Sequence, residues 1–341
     1  MRNKLRVGIA GYGVVGKRRR TCIDQNPYLT TVAVSDQNIE FGVTEDGVRS
    51  YQDSMEMLSD QLDVVFVSLP NHAAPAISIA ALRKGCHVFC EKPPGRNVGD
   101  VIAVQKAERE NSGLKLKYGF NHRYHDSVIE SKKLIDGGSL GSLINLRGVY
   151  GKSQIISFES DWRTRRAMAG GGILLDQGIH IIDLMRLFSG EFPDVHSFIS
   201  NSYWQHDVED NAYALMRTAT GVVGMLHSSA TQWRHQFRLE LALTEGAIIL
   251  GGILSGSKSY GDETMTTIKK SEDGRGMPKR EIRKFGVDHS WQDEIDEFAD
   301  AIWNDKPIIY GNSADALATM ELTYRIYCAD KGWKERYALT C

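Results

Sequence analysis

The sequence predicts an α/β chain in two parts: a doubly wound parallel sheet, then an α+β domain on an open, mostly antiparallel sheet. Three observations carry this. Apolar strand-like runs alternate with helical runs through residues 1–121, the pattern of strands buried on both faces by crossover helices. From Val195 to Leu250 strand-like runs follow one another with only turns between them, as antiparallel neighbours do. The 341 residues also exceed a single domain of roughly 100 to 200 residues. The expected division is a first domain over 1–121 and a second over 122–341.

Leu5–Ala10 reads as a buried strand, and Gly11, Gly13 and Gly16 follow it as a helix begins near Val14. A GxGxxG between strand and helix permits a tight turn, close approach of a pyrophosphate, and its binding at the helix N-terminus by the N–H groups of residues such as Val14 and Val15. A second strand, Thr31–Asp36, ends on an acid twenty residues after Gly16. A carboxylate there accepts hydrogen bonds from both ribose hydroxyls and repels a 2′-phosphate, which favours NAD over NADP. These features together define a Rossmann dinucleotide-binding domain. The basic run Lys17–Arg20 reads as a solvated helix face.

Asp63–Asn71 is a nearly continuous apolar strand, Ala73–Lys84 a helix, Cys86–Pro93 a strand and Val98–Glu110 a helix. Ligands of such sheets bind beyond the carboxyl ends of the strands, where Leu69, Pro70, Asn71, Glu91 and Lys92 fall. Pro93 and Pro94 stop the strand, and Lys92 reads either as a cofactor-crevice cation or as a surface lysine.

In the second part a helix over Ser127–Ile135 stops at Gly137-Gly138, and a strand runs over Leu143–Gly151. The stretch Gly170–His180, GGGILLDQGIH, leads into a helix expected from near Ile173 to about Phe188. Four residues separate Asp176 from His180, which puts both on one helical face. A carboxylate beside an imidazole fixes its tautomer and raises its basicity. The residues alone also allow an amphipathic helix with a buried histidine. Strands follow at Val195–Tyr203, Asn211–Thr218, Val222–Ala230, Phe237–Leu243 and Ala247–Leu250. Gly252–Arg280, polar and glycine-rich, reads as an exposed hairpin arm or loop, and helices over Trp291–Trp303 and Ser313–Asp330 close the chain.

A formal charge of -2 gives no electrostatic case for nucleic acid or a membrane surface. No signal layout and no apolar run of about 18 residues is found, so a cytoplasmic protein is expected. Five cysteines without a CxxC pair indicate neither a disulfide framework nor a metal site. An open sheet face, with Met225 and His227 alternating along it, predicts a homodimer or homotetramer.

The GxGxxG at Gly11, the Glu91-Lys92-Pro93 triplet and the DxGxH at Asp176–His180 together resemble the glucose-fructose oxidoreductase and inositol dehydrogenase (Gfo/Idh/MocA) family over nearly the whole chain. The resemblance implies an NAD-dependent dehydrogenase or reductase acting on a CH–OH group at a cleft where the domains meet. It implies Lys92, Asp176 and His180 as catalytic residues, with His180 the general base in oxidation, and Arg123 at the substrate. Two positions depart from the family: Ala74 stands where PNxxH has histidine, and Asp126 where a proline often follows the arginine-aromatic pair. Trp162, Arg163, Arg165 and Arg166, with Lys152, Gln232, Trp233 and Arg234, are candidate substrate-wall residues; arginines suit a phosphate or carboxylate. The expected substrate is a sugar, foremost a sugar nucleotide or amino sugar. The alternatives are a cyclitol dehydrogenase, a glycosidase or lyase with transient redox use of NAD, and a non-catalytic NAD-binding sensor.

Overall fold

The computed structural model describes residues 3–153, 162–255, 259–271 and 276–340. The chain folds into two compact units. The first comprises 1–121, 167–170 and 291–320, and the second comprises 122–166, 171–290 and 321–341. The run expected to be continuous from 122 onward is thus interrupted twice.

In the first unit β1 (Leu5–Ala10) leads through the glycine loop into α1 (Val14–Gln25) and β2 (Leu29–Ser35). A short hairpin, β3 (Gly42–Val43) and β4 (Arg49–Tyr51), and a turn of helix, α2 (Ser54–Met57), come next. Then alternate β5 (Val64–Val67), α3 (Ala74–Arg83), β6 (His87–Glu91), α4 (Val98–Glu110) and β7 (Leu116–Gly119). The strand order is β3-β4-β2-β1-β5-β6-β7, parallel apart from the β3–β4 pair. The order reverses between β1 and β5, the switch point at whose carboxyl edge a doubly wound sheet binds its ligand.

The second unit opens with α5 (Asp126–Asp136) and β8 (Leu143–Ser153). After α6 (Arg166–Ala169) comes an i→i+5 turn over Leu174–Gly178, then α7 (Ile179–Ser189). The strands are β9 (Asp194–Ser200), β10 (Asn211–Arg217), β11 (Val223–Gln232), β12 (Gln236–Leu243) and β13 (Gly246–Gly251). The region expected as an exposed arm contributes two more, β14 (Glu263–Lys269) and β15 (Lys279–Phe285). Its residues 256–258 and 272–275 lie outside the described residues. The eight strands run β15-β14-β13-β12-β8-β11-β10-β9. Among the described residues β8 and β11 are the one parallel pair.

Helix α7 packs its apolar face, Ile181, Ile182, Leu184, Met185 and Phe188, on one side of this sheet against Leu146, Leu226, Leu239 and Leu241. Glycines set its depth. A Cβ on Gly148 of β8 would lie 2.7 Å from Ile181, and one on Gly224 of β11 2.9 Å from Met185. The opposite side carries exposed Ile144, Phe198, Tyr213, Leu215 and Met225.

Helix α8 (Ser290–Trp303) belongs largely to the first unit, where Ile295, Phe298 and Ala299 pack on Val7, Ile9, Phe66 and Phe89. It also corrects the reading of the basic run, because Arg19 is 1% exposed. Its guanidinium bonds Glu91 at 2.5 Å and Glu294 at 2.8 Å and lies over the rings of Phe89 and Trp291. Helices α9 (Ser313–Ala329) and α10 (Lys331–Arg336) end the chain. Cys22, Cys86 and Cys90 are in no disulfide, whereas Cys328 is disulfide-bonded, a bond the spacing of the cysteines did not suggest.

Candidate active site

In the first unit the glycine loop is built for a ligand. Gly11 adopts φ +87°, and its missing Cβ would lie 2.4 Å from the Ser68 carbonyl. A Cβ on Gly16 would meet the Gly11 carbonyl at 2.0 Å. Both glycines are required by the fold itself. Gly13 differs, since a Cβ there would meet no protein atom within 4 Å. The N-terminus of α1 has no side-chain cap and no acid in its first turn, which leaves its N–H donors and positive dipole end to an anion. Val14, 89% exposed, and half-buried Val15 form that first turn.

Asp36 follows β2 directly, and both described hydrogen bonds to its carboxylate, from Asn38 N and Nδ2, fall on Oδ1. Leu69 and Pro70 follow β5, next to β1 in the sheet. These groups fit the pyrophosphate and ribose of a dinucleotide. Asn71 and Glu91 take other parts. Asn71 donates from Nδ2 to the Ala169 carbonyl at 2.8 Å, tying the 167–170 segment into the unit, and the Glu91 carboxylate is held by Arg19. Half-buried Lys92 follows β6 and precedes Pro93 through a cis peptide bond.

In the second unit Gly171 and Gly172 lead into the catalytic candidates. A Cβ on Gly171 would lie 2.2 Å from the Tyr327 hydroxyl, and one on Gly172 2.1 Å from the Glu209 carbonyl. Buried Glu209 accepts from Gly172 N at 2.8 Å, Leu174 N at 2.9 Å and the Tyr327 hydroxyl at 2.7 Å. It thus caps the helical segment that bears both Asp176 and His180. Burial pushes its carboxyl above the usual range despite three donors.

The expected uniform α-helix from Ile173 is replaced by the i→i+5 turn through Asp176, with α7 starting at Ile179. The carboxylate of Asp176 accepts from Lys152 Nζ at 3.0 Å and Gln177 Nε2 at 3.3 Å. His180, buried, stacks on His122 with ring centroids 3.7 Å apart. His122 Nε2 lies 3.2 Å from the Tyr150 hydroxyl. Beside it, His125 Nδ1 meets Glu263 Oε2 at 2.7 Å, and Glu263 Oε1 accepts from Ser127 N. Tyr150 packs edge-on against Tyr260, which in turn meets His235. The cluster is therefore Lys152, Asp176, His180, His122, Tyr150 and Tyr260. Of these, sequence reasoning missed the two tyrosines and His122, along with His125, Glu209 and His235. An HxxH spacing just ahead of α5 was the one available signal.

Several candidate substrate residues have partners within the fold. Arg123 is buried in a bidentate pair with Asp183 of α7, both bonds at 2.7 Å. Its charge is matched inside the fold and it anchors the histidine-bearing helix. Arg166 stands over Tyr337 and near Tyr327 and Trp333. Arg163, exposed, stacks on half-buried Trp162; Asp161, the first residue of that basic stretch, lies outside the described residues. Trp233, 77% exposed, sits at the end of β11, where its carbonyl accepts from Ser153 Oγ. Among the described residues no three His, Cys, Asp or Glu side chains group to hold a metal ion, and no helix is long and apolar enough to cross a membrane.

A doubly wound nucleotide-binding unit, joined to a second unit with a histidine and a carboxylate at one helix entry, defines the class as a nicotinamide-dependent oxidoreductase. Comparison with known proteins makes this specific. Residues 5–120 match an oxidoreductase family with an NAD-binding Rossmann fold, and residues 128–249 match the GFO/IDH/MocA C-terminal domain. The chain belongs to the GFO/IDH/MocA family and is an NAD-dependent oxidoreductase. It is similar to levoglucosan dehydrogenase of Pseudarthrobacter phenanthrenivorans, with 27% identity over 293 residues, 72% of this chain and 73% of that one. It is similar also to 1,5-anhydro-D-fructose reductase of Ensifer adhaerens, with 30% identity over 228 residues, 65% of this chain and 67% of that one. A solved structure of levoglucosan dehydrogenase in complex with NADH shares the fold at TM-score 0.82, with 23% identity, covering 97% of this chain and 98% of that one.

Proposed function

We propose that this protein interconverts a hydroxyl and a keto group on a free sugar, anhydrosugar or cyclitol. The observation that carries this is the His180 imidazole, buried on His122 one turn from Asp176, in a chain of a dehydrogenase family. Gly11, Gly13, Gly16, Asp36 and the first turn of α1 hold the dinucleotide. Bound NAD supplies a hydride acceptor at its nicotinamide ring. In oxidation His180 takes the hydroxyl proton as general base, and in reduction it returns one. Lys92, just past β6 in the first unit, supplies a hydrogen-bond donor suited to negative charge that develops on a substrate oxygen. Asp176, held by Lys152, offers a carboxylate acceptor to the substrate at the same helix entry.

A free sugar is favoured over a nucleotide sugar because Arg123, suited to phosphate, is taken up inside the fold by its bidentate pair with Asp183. The names of the two relatives above, both anhydrosugar enzymes, support this. The nucleotide-sugar or amino-sugar reading keeps one observation, the exposed Arg163 on Trp162.

NADH formation across anhydrosugars, cyclitols, hexoses and nucleotide sugars tests the reading. With the best substrate, His180→Ala is expected to lower kcat about 10²- to 10⁴-fold while NAD affinity holds, and Lys92→Met to behave alike. Wild-type turnover by His180→Ala would sink the assignment. Cleavage without net NADH would instead favour the glycosidase or lyase reading, and binding without reaction the sensor.

We infer also that copies associate through the outer sheet side that bears Phe198, Tyr213, Leu215 and Met225. Sedimentation should show an oligomer that Met225→Glu weakens; a monomeric wild type would refute this.

A further inference from the structure

Tyr260 belongs to none of the roles above, yet the fold carries its side chain to the Asp176 cluster. It lies just ahead of β14, in the polar stretch expected to be an exposed arm. Its ring packs edge-on against Tyr150, centroids 5.1 Å apart, and against His235 at 4.8 Å. Its hydroxyl oxygen is shielded from solvent and close to Tyr150 and the Asp176 carboxylate, but no hydrogen bond of good geometry satisfies it. Burial, then the Asp176 charge, push the phenol above its ordinary range, which keeps it a neutral O–H donor. A buried donor whose neighbour, the Tyr150 hydroxyl, is off good hydrogen-bond geometry and already engaged with His122 is poorly satisfied, and a ligand oxygen would complete it.

The groups around it state what the ligand offers. Lys152 Nζ and Asp176 Oδ2 stand 3.0 Å apart as donor and acceptor, each about one-quarter exposed, and two adjacent hydroxyls, each able to donate and accept, match such a pair. The Tyr260 and His235 rings, set edge to face, add apolar surface suited to the C–H groups of a saturated ring. His235 is held neutral by burial and by Lys152, so it adds no competing charge.

We propose that Tyr260 is a substrate-contacting, specificity-determining residue whose phenol donates to a ring hydroxyl neighbouring the one that reacts. The enzyme on this account requires a vicinal diol on a cyclic polyol. The inference rests on the sugar or cyclitol reading above and adds to it which second oxygen is recognised.

Tyr260→Phe tests it by removing one oxygen and keeping the ring. Wild type and variant are compared by NAD reduction with levoglucosan, 1,5-anhydro-D-glucitol and myo-inositol, and with the mono-deoxy forms of whichever react. NAD affinity and thermal midpoint serve as controls on folding. The variant should lose about tenfold in kcat/KM on the parent polyol. On one mono-deoxy form the two enzymes should become equal, because the partner oxygen is already gone. Equal rates on the parent, or the same loss on every deoxy form, would overturn the role of Tyr260 and leave the sugar reading intact. Failure of the wild type on every polyol would overturn the functional reading and this inference with it.

Discussion

Glycines from two runs that look alike on paper do opposite things. At Gly13 the space a Cβ would fill holds no protein atom within 4 Å, whereas at Gly171 and Gly172 that space is taken by the Tyr327 hydroxyl and the Glu209 backbone. Gly13 keeps room for something that arrives; Gly171 and Gly172, like Gly11 and Gly16, bring the chain into contact with itself. Glycine content near a site therefore separates ligand approach from backbone packing only once the surroundings of each glycine are known.

Substitution by alanine sharpens the contrast, with the largest effect expected at Gly172. A methyl 2.1 Å from a backbone carbonyl has no flexible side chain to push aside, and overpacking of this kind costs about 1–3 kcal/mol or more. Gly172→Ala should lose several degrees of thermal midpoint, or fail to accumulate as soluble protein. Gly13→Ala should leave the unliganded midpoint unchanged and weaken NAD by about 10- to 200-fold, the penalty of one extra methyl group in a fitted site. Calorimetry and NAD titration on both variants check the pair. A destabilised Gly13→Ala with normal NAD affinity would erase the distinction.

What was legible in the sequence was local. The glycine spacing, Asp36 and the buried strands of the first unit sit within short windows whose apolar runs have one reading. The arginines were not legible, because their partners are distant: Arg19 meets Glu294 across 275 positions and Arg123 meets Asp183 across 60. A basic residue reads as solvated until its acid is found. Strands β14 and β15 were hidden for another reason. Their sequences, ETMTTIK and KREIRKF, are polar because β15 is a sheet edge, where charge discourages pairing with another chain. With β14 unrecognised, Glu263 and the nearby Tyr260 could not be placed beside the Asp176–His180 stretch, which its four-residue spacing and the family resemblance had singled out.

The smallest expected effect bears on how the second unit holds its histidines without a ligand. Burial raises the Glu263 carboxyl, but the His125 hydrogen bond and charge, with the Ser127 N–H, bring it below the usual range. A carboxylate whose folded pKa is depressed stabilises the fold above its unfolded value, here the ordinary 4.5, and loses that contribution as pH falls through the lower folded value. Glu263→Gln keeps the shape and removes the charge. At pH 7 it should cost about 1–3 kcal/mol, the range for a hydrogen bond to a charged group. That gap should close as pH falls below the ordinary carboxylate range, because the wild-type carboxylate is then protonated as well. Urea unfolding of both proteins from pH 7 to pH 3 checks this, provided each unfolds in a single transition. A gap that stays constant with pH would mean that the ionised pair contributes nothing. The second unit would then hold its histidines by packing alone, as its glycines do.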